Sequence, residues 1–219
     1  MTSLILILLL SYLIGSIPTS IIMGKLMKGI DVRQFGSGNA GGTNAFRVLG
    51  WKAGLFVSLF DIAKGVFATV VISQIRIDKL PFDNETLVMV LAGLCAILGH
   101  TFTIFAGFKG GKGVAAGAGM IIGLYPSAFL FCLLVFTLVL VSTGIVSISS
   151  MTAAVSLPFI MLISNRLSGG QIDAGLIIFS FIIPLFIIYT HRTNIKRLIN
   201  GEERSFDKIR LFRRKKKNS

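Results

Sequence analysis

Seven apolar runs mark the chain, near 4–24, 53–75, 86–106, 113–125, 127–142, 145–163 and 173–190. A helix needs roughly 20 residues to cross a bilayer core of about 30 Å, a length that the first three runs and the last one meet. Between Lys112 and Arg166 lie 53 residues, too many for one crossing and tight for three. Tyr125-Pro126 and Ser142-Thr143-Gly144 are natural breaks there. One crossing or three leave the same parity, so the rest of the topology does not depend on the choice. The pattern predicts an all-α integral membrane protein with seven transmembrane helices, short and tilted in the middle.

Composition agrees: 53% of the 219 residues are hydrophobic and 14% charged, with a mean hydropathy of +0.83. That is too apolar for a water-soluble domain. No Lys or Arg precedes the first run and Lys25 and Lys28 follow it, an order that disfavours a cleaved signal peptide and puts the N-terminus outside. On that orientation the inner segments hold eighteen of the 22 basic residues and the outer ones only Arg76, Lys79 and Arg166. The last, Lys64, lies within a run, three residues from Asp61. Residues 1–203 read as one polytopic domain, and 204–219 as a basic cytoplasmic tail lying against anionic headgroups. No nucleic-acid reading module accompanies the charge. Cys95 and Cys132 sit in apolar runs as core-filling residues, and neither a metal ion nor a cofactor is indicated. The chain shows no internal repeat, and an odd number of spans argues against two inverted halves.

The same topology gathers three polar segments on the cytoplasmic face: GSGNAGGTNAFR at 36–47, GHTFTIFAGFKGGKGVAAG at 99–117 and HRTNIKRLINGEE at 191–203. Irregular glycine-rich backbone at membrane depth is tolerated where it is buried in protein or lines a wet cavity, which suggests one shared site. Glycines let backbone N–H groups approach an anion; Asn, Ser and Thr add directional hydrogen bonds; Arg47, Lys109 and Lys112 supply charge. Phosphate suits this inventory. FKGGKG is not a nucleotide-binding P-loop, because Ala106 stands at its first glycine and Gly113 follows the lysine. What remains is Lys112 at the start of a helix, where free N–H groups and the helix dipole favour an anion. The plainer alternative, tight interfacial turns with snorkelling basic residues, stays open for either loop alone.

The three segments resemble the motifs of the bacterial acyl-phosphate:glycerol-3-phosphate acyltransferase family, the PlsY type. Gly36 to Arg47 is similar to GSGN-x-G-x-TN-x-x-R, Gly99 to Ala115 to GH-x-F followed by FKGGKGVA, and His191 to Glu203 to HR-x-NI-x-RL-x-x-G-x-E. DVR at 31–33 and DIAKG at 61–65 extend the resemblance along the chain. Ala40 and Thr103 stand where the family often has proline, a difference of loop rigidity. The resemblance implies transfer of a fatty acyl group from acyl phosphate to the 1-hydroxyl of glycerol 3-phosphate at the inner membrane, giving lysophosphatidic acid. It implies that Ser37, Arg47, Lys112, His191 and Asn194 carry the catalysis. Substrate binding falls to Gly36, Gly38, Asn39, Thr43, Asn44, Lys109, Gly110, Gly111, Gly113, Arg192 and Glu203, the last holding one of the cations in place.

Each position has a structural alternative. Ser37 and Asn39 are also turn-capping residues, Asn194 a helix-capping one, and His100 reads as a hydrogen-bonded interfacial histidine. Asp61 and Lys64 share a helix face and are expected to pair, in a structural or a functional role. A phosphate or organic-anion channel is the rival function, but it calls for polar groups at mid-membrane on several spans, and only Asp61 and Lys64 qualify. A noncatalytic assembly subunit would need no convergent polar site at all. A CoA-dependent acyltransferase is disfavoured because neither His100 nor His191 is followed by Asp at the required spacing. An acyl phosphate carries its own leaving group, so direct transfer without an acyl-enzyme is expected, with alignment and charge stabilisation as the main demands. The oligomeric state is not legible.

Overall fold

The computed structural model describes residues 1–206 and 210. They form ten α-helices and no strand: α1 (Thr2–Gly15), α2 (Thr19–Lys28), α3 (Gly42–Leu49), α4 (Trp51–Val70), α5 (Glu85–Thr101), α6 (Val114–Leu124), α7 (Pro126–Thr143), α8 (Val146–Leu167), α9 (Ala174–Thr190) and α10 (Arg192–Ile199). Most of the basic tail expected over 204–219 lies outside the described residues.

An apolar helix stands at each of the seven runs, and the middle of the chain breaks where Tyr125-Pro126 and Gly144 interrupt it. Among the described residues, five segments are long and apolar enough to cross a membrane: Thr2–Lys28, Trp51–Gln74, Glu85–Ala106, Pro126–Thr143 and Val146–Leu167. A sixth is gained by counting α9 together with α10, which are bent by 61°. The 11 residues of α6 reach only about 16 Å, roughly half a bilayer core. The first run is also not one helix. Pro18 has no N–H and disfavours helical backbone at Ile17, so α1 stops at Gly15 and α2 starts at Thr19.

The chain divides into two compact units, the first Met1–Ser127 with Asp173–Phe179, the second Ala128–Ile172 with the residues from Ser180 onward. In the first unit, α1 packs on α5 and α4 on α6 with glycine at the points of contact. A Cβ at Gly15 would overlap Ala96, one at Gly99 would overlap Tyr12, and one at Gly65 or Gly119 would overlap the backbone of the facing helix. Small residues let membrane helices approach this closely. At one end of the unit, Asp78 caps α1: its carboxylate accepts from the N–H groups of Thr2 and Ser3 at 2.8 Å and from the Ser3 hydroxyl at 2.6 Å. The N-terminal ammonium 2.6 Å away, with these hydrogen bonds, holds the carboxyl far below the usual carboxylate range. At the other end, α3 packs on α2 and α4 around Ile21, Val32, Ala45, Leu49, Ala53 and Val57. The loops 29–41 and 102–113 lie at that end. In the second unit, the carbonyl of Gly144, between α7 and α8, takes the Phe206 N–H at 2.7 Å.

Candidate active site

The first glycine-rich loop is held from within by Asn44, which is 1% exposed. Its Nδ2 donates to the carbonyls of Val32 and Phe35 at 2.8 and 3.1 Å, and its Oδ1 accepts from the Ser37 N–H at 2.7 Å. Every hydrogen-bonding atom of the side chain but the second acceptor lone pair is thereby used. Gly36, at φ 62°, sits so close to Asn44 Oδ1 that no side chain would fit. From Gly42 the backbone enters α3, where Thr43 and Arg47, one turn apart, share a half-buried face.

Residues 102–113 fold back on the end of α5. The Gly110 and Gly111 N–H groups donate to the carbonyls of Thr101 and His100 at 3.0 and 2.9 Å. Gly113, at φ 83°, then turns the chain into α6, with half-buried Lys112 immediately before it. Arg33 joins this loop to the first. Asp31 fixes its guanidinium through Nε at 3.1 Å and Nη2 at 2.7 Å, leaving Nη1 to donate to the carbonyls of Ala106 and Lys109 at 2.7 and 3.2 Å. The Arg33 hydrogen bonds hold the Asp31 carboxyl below its ordinary range, so the pair stays ionised at neutral pH. Beside the two loops is a small recess lined by Ile17, Pro18, Thr19, Ala40, Asp61, His100, Thr103 and Gly110.

In the second unit, His191 precedes α10 and is 3% exposed. Its Nδ1 lies 2.8 Å from the Ile187 carbonyl, which can only accept, so in the neutral ring Nδ1 carries the proton and Nε2 the lone pair. Glu203, with 5% of its side chain exposed, ties α10 down. It accepts from Asn194 Nδ2 at 2.5 Å, Ser147 Oγ at 2.8 Å and Arg197 Nε at 2.7 Å. Burial pushes its carboxyl up, but the hydrogen bonds from Arg197, Asn194 and Ser147 outweigh that and hold it below the ordinary value.

The sequence profile described as glycerol-3-phosphate acyltransferase matches residues 5–201. The chain belongs to the glycerol-3-phosphate acyltransferase family. Glycerol-3-phosphate acyltransferases of Chlorobium limicola and Chlorobaculum tepidum are each 50% identical to it, over 93% and 90% of this chain and 96% and 94% of theirs. Crystal structures of PlsY, an integral membrane glycerol 3-phosphate acyltransferase, in its glycerol 3-phosphate and lysophosphatidic acid forms, superpose with TM-scores of 0.81 and 0.79. Their identity is 35%, over 93% of this chain and 96% and 95% of theirs. The protein is therefore an acyltransferase and a multi-pass bacterial membrane protein.

Seen as an acyltransferase, the chain brings the residues expected from the first two motifs to one end of its first unit. Gly36, Ser37, Gly38 and Asn39 lie in the first loop, Thr43, Asn44 and Arg47 on α3, and Lys109, Gly110, Gly111, Lys112 and Gly113 in the second loop. Those of the third motif lie at and after α10 in the second unit. Asn44 braces the loop, and Glu203 forms an ion pair with Arg197. Arg192 is exposed, with its guanidinium 4.7 Å above the Tyr189 ring. Arg33, Asp31, Arg197 and Ser147 were not among the expected site residues. Asp-x-Arg beside a glycine-rich loop was the signal for the first pair, whereas nothing in the sequence pointed from Ser147 to Glu203.

Proposed function

We propose that the protein transfers a fatty acyl group from an acyl phosphate to the 1-hydroxyl of glycerol 3-phosphate, forming lysophosphatidic acid and phosphate at the start of phospholipid synthesis. The observation that carries this reading is the Arg33 clip. It draws together two loops rich in backbone N–H groups and positive charge, as a reaction between two phosphate-bearing substrates requires. Arg47 and Lys112 hold the phosphates, the arginine bidentately. The amides of Gly36 and Gly113, with Asn39, Thr43, Lys109 and Arg192, help bind them, while Gly38, Gly110 and Gly111, whose N–H groups donate to the carbonyls of Phe35, Thr101 and His100, let the phosphates approach the backbone closely. Ser37 and Asn194 orient the acyl phosphate or the glycerol hydroxyls, and His191 orients by hydrogen bonding. The hydroxyl oxygen attacks the acyl carbonyl carbon, the bond from that carbon to the phosphate oxygen breaks, and the departing phosphate takes the hydroxyl proton.

Residues 1–203 act as one catalytic domain, with seven crossings, the N-terminus outside and the site open to the cytoplasm. The distribution of basic residues supports this orientation. The decisive experiment supplies purified protein with acyl phosphate and glycerol 3-phosphate as its only substrates. Lysophosphatidic acid and phosphate are expected in equal amounts, dependent on both substrates; no product would refute the transfer. A hydroxylamine-sensitive acyl adduct, formed without glycerol 3-phosphate and absent in Ser37→Ala, would replace direct transfer with a covalent route.

A further inference from the structure

Four buried polar side chains meet where α4 passes the break between α1 and α2. Asp61 is 2% exposed, Lys64 3%, Thr19 6% and His100 7%. Lys64 is committed inward. Its Nζ lies 2.8 Å from Asp61 Oδ1 and 3.0 and 2.9 Å from the carbonyls of Gly15 and Ile17. The Gly15 carbonyl is left over where α1 stops short of Pro18, and the Ile17 carbonyl also takes the Thr19 N–H at 3.0 Å. The carbonyl of Ser16, between them, accepts from the Thr103 hydroxyl. Three successive carbonyls of a membrane-embedded break are thus satisfied by α4 and by the segment that follows α5, and inside a bilayer such groups need internal partners.

His100 connects this cluster to the second glycine-rich loop. Its Nδ1 is 3.4 Å from Lys64 Nζ and 3.7 Å from Asp61 Oδ1, so this edge of the ring faces the ion pair. The Nε2 edge fills the space that any side chain at Gly111 would need. The backbone carbonyls of His100 and Thr101 hold the Gly111 and Gly110 amides. Asp61 Oδ1 also accepts from Thr19 Oγ1 at 3.2 Å, which fixes the start of α2 to the same carboxylate.

We propose that Asp61, Lys64 and His100 are positioning residues that lock the break in the first span, the end of α5 and the 107–113 loop together, and so keep Lys112 and the turn at Gly113 in place for a substrate phosphate. None of the three touches substrate. The inference takes its ligand from the transfer reading above, and its geometry stands apart from that reading. A loop that spends only about a tenth of its time in place lowers apparent affinity about tenfold, while enzyme that has bound substrate turns over as before.

Two variants test it, His100→Asn and the double exchange Asp61→Asn with Lys64→Met, which removes both charges and strands neither. In purified protein, hydrogen exchange at the Gly110 and Gly111 amides is expected to speed up about tenfold. KM for at least one substrate is expected to rise by a similar factor, with kcat close to that of the unaltered protein. Should the double variant fail to accumulate, His100→Asn, which leaves the ion pair intact, decides by the same measurements. Unchanged exchange in a folded variant overturns the proposal, and so does a fall in kcat at constant KM. If the unaltered protein shows no turnover, the transfer reading fails, and the exchange rates still decide the positioning role.

Discussion

Exchanging Asn44 for aspartate keeps the shape of the side chain and removes the donor that braces the first glycine-rich loop. One side of the exchange is harmless, since a carboxylate oxygen still accepts from the Ser37 N–H 2.7 Å away. On the other side, the carbonyls of Val32 and Phe35, at 2.8 and 3.1 Å, lose both hydrogens of Nδ2. The loop then opens, or the aspartate retains a proton and satisfies one carbonyl. Keeping that proton costs about 1.4 kcal/mol for each pH unit above an ordinary Asp pKa of about 3.9, hence about 4 kcal/mol at pH 7 and about 1.5 at pH 5. The closed loop raises the carboxyl's pKa, so closure is favoured below pH ~4 and is lost as the pH climbs toward the raised value. Once the open form predominates, the closed fraction gains about tenfold per unit of acidification, or about 10²-fold from pH 7 to pH 5. The assay is turnover of Asn44→Asp divided by that of the unaltered enzyme at each pH, a ratio that cancels ionisation of the substrates. Asn44→Ala, which has nothing to titrate, is expected to be impaired with a flat ratio. Near-normal turnover of Asn44→Asp at pH 7, or a flat ratio for it, would refute the brace.

Further outcomes can be measured on the same preparation. Arg47→Ala and Lys112→Ala are each expected to lower kcat/KM about 10²-fold or more, and Arg47→Lys to remain deficient because a fork becomes a point charge; near-normal phosphate release by all three would make them ordinary surface charges. Since Glu203 is held below its ordinary range, its grip on α10 is complete at neutral pH and fails as the pH falls through its lowered folded-state value. Protection of the α10 amides, taken relative to the intrinsic exchange rate at each pH, is expected to fall on acidification, and Glu203→Gln to remove that loss; identical protection profiles would count against the tie. With Cys95 and Cys132 replaced, a cysteine at Asn84 is expected to react with an impermeant thiol reagent in intact cells, and one at Lys52 only after permeabilisation. The reverse pattern would invert the proposed orientation.

The apolar runs were legible because lipid demands them, and the breaks at Tyr125-Pro126 and Gly144 were legible because proline and glycine interrupt helices wherever they stand. The break at Pro18 was not, since IGSIPTS stays apolar on either side and mean hydropathy does not register one missing N–H. In the loops, polarity was readable and direction was not. Asn44 has the composition of a ligand donor and turns its donors toward the carbonyls of Val32 and Phe35. Lys64 and His100 are 36 residues apart in sequence, and a pair at that distance leaves no periodic trace. Asp61 and Lys64, three apart on one helix, did.

The glycine contacts between α1 and α5 and between α4 and α6 divide this protein's surface by how freely it can drift. On α7 the sole buried residue is Ala128, and Leu130 and Leu138 are 63% and 55% exposed. Exchanges among apolar residues there alter only which methyl groups meet acyl chains, so a lineage could adapt to a thicker or more fluid membrane along that helix. A single methyl group at Gly99 would wedge apart α1 and α5 just where the second loop is anchored, and one at Gly65 would separate α4 from α6. The least conspicuous residues in the hydrophobic runs are therefore where drift is most constrained, and membrane adaptation and catalysis are left to evolve on largely separate sets of positions.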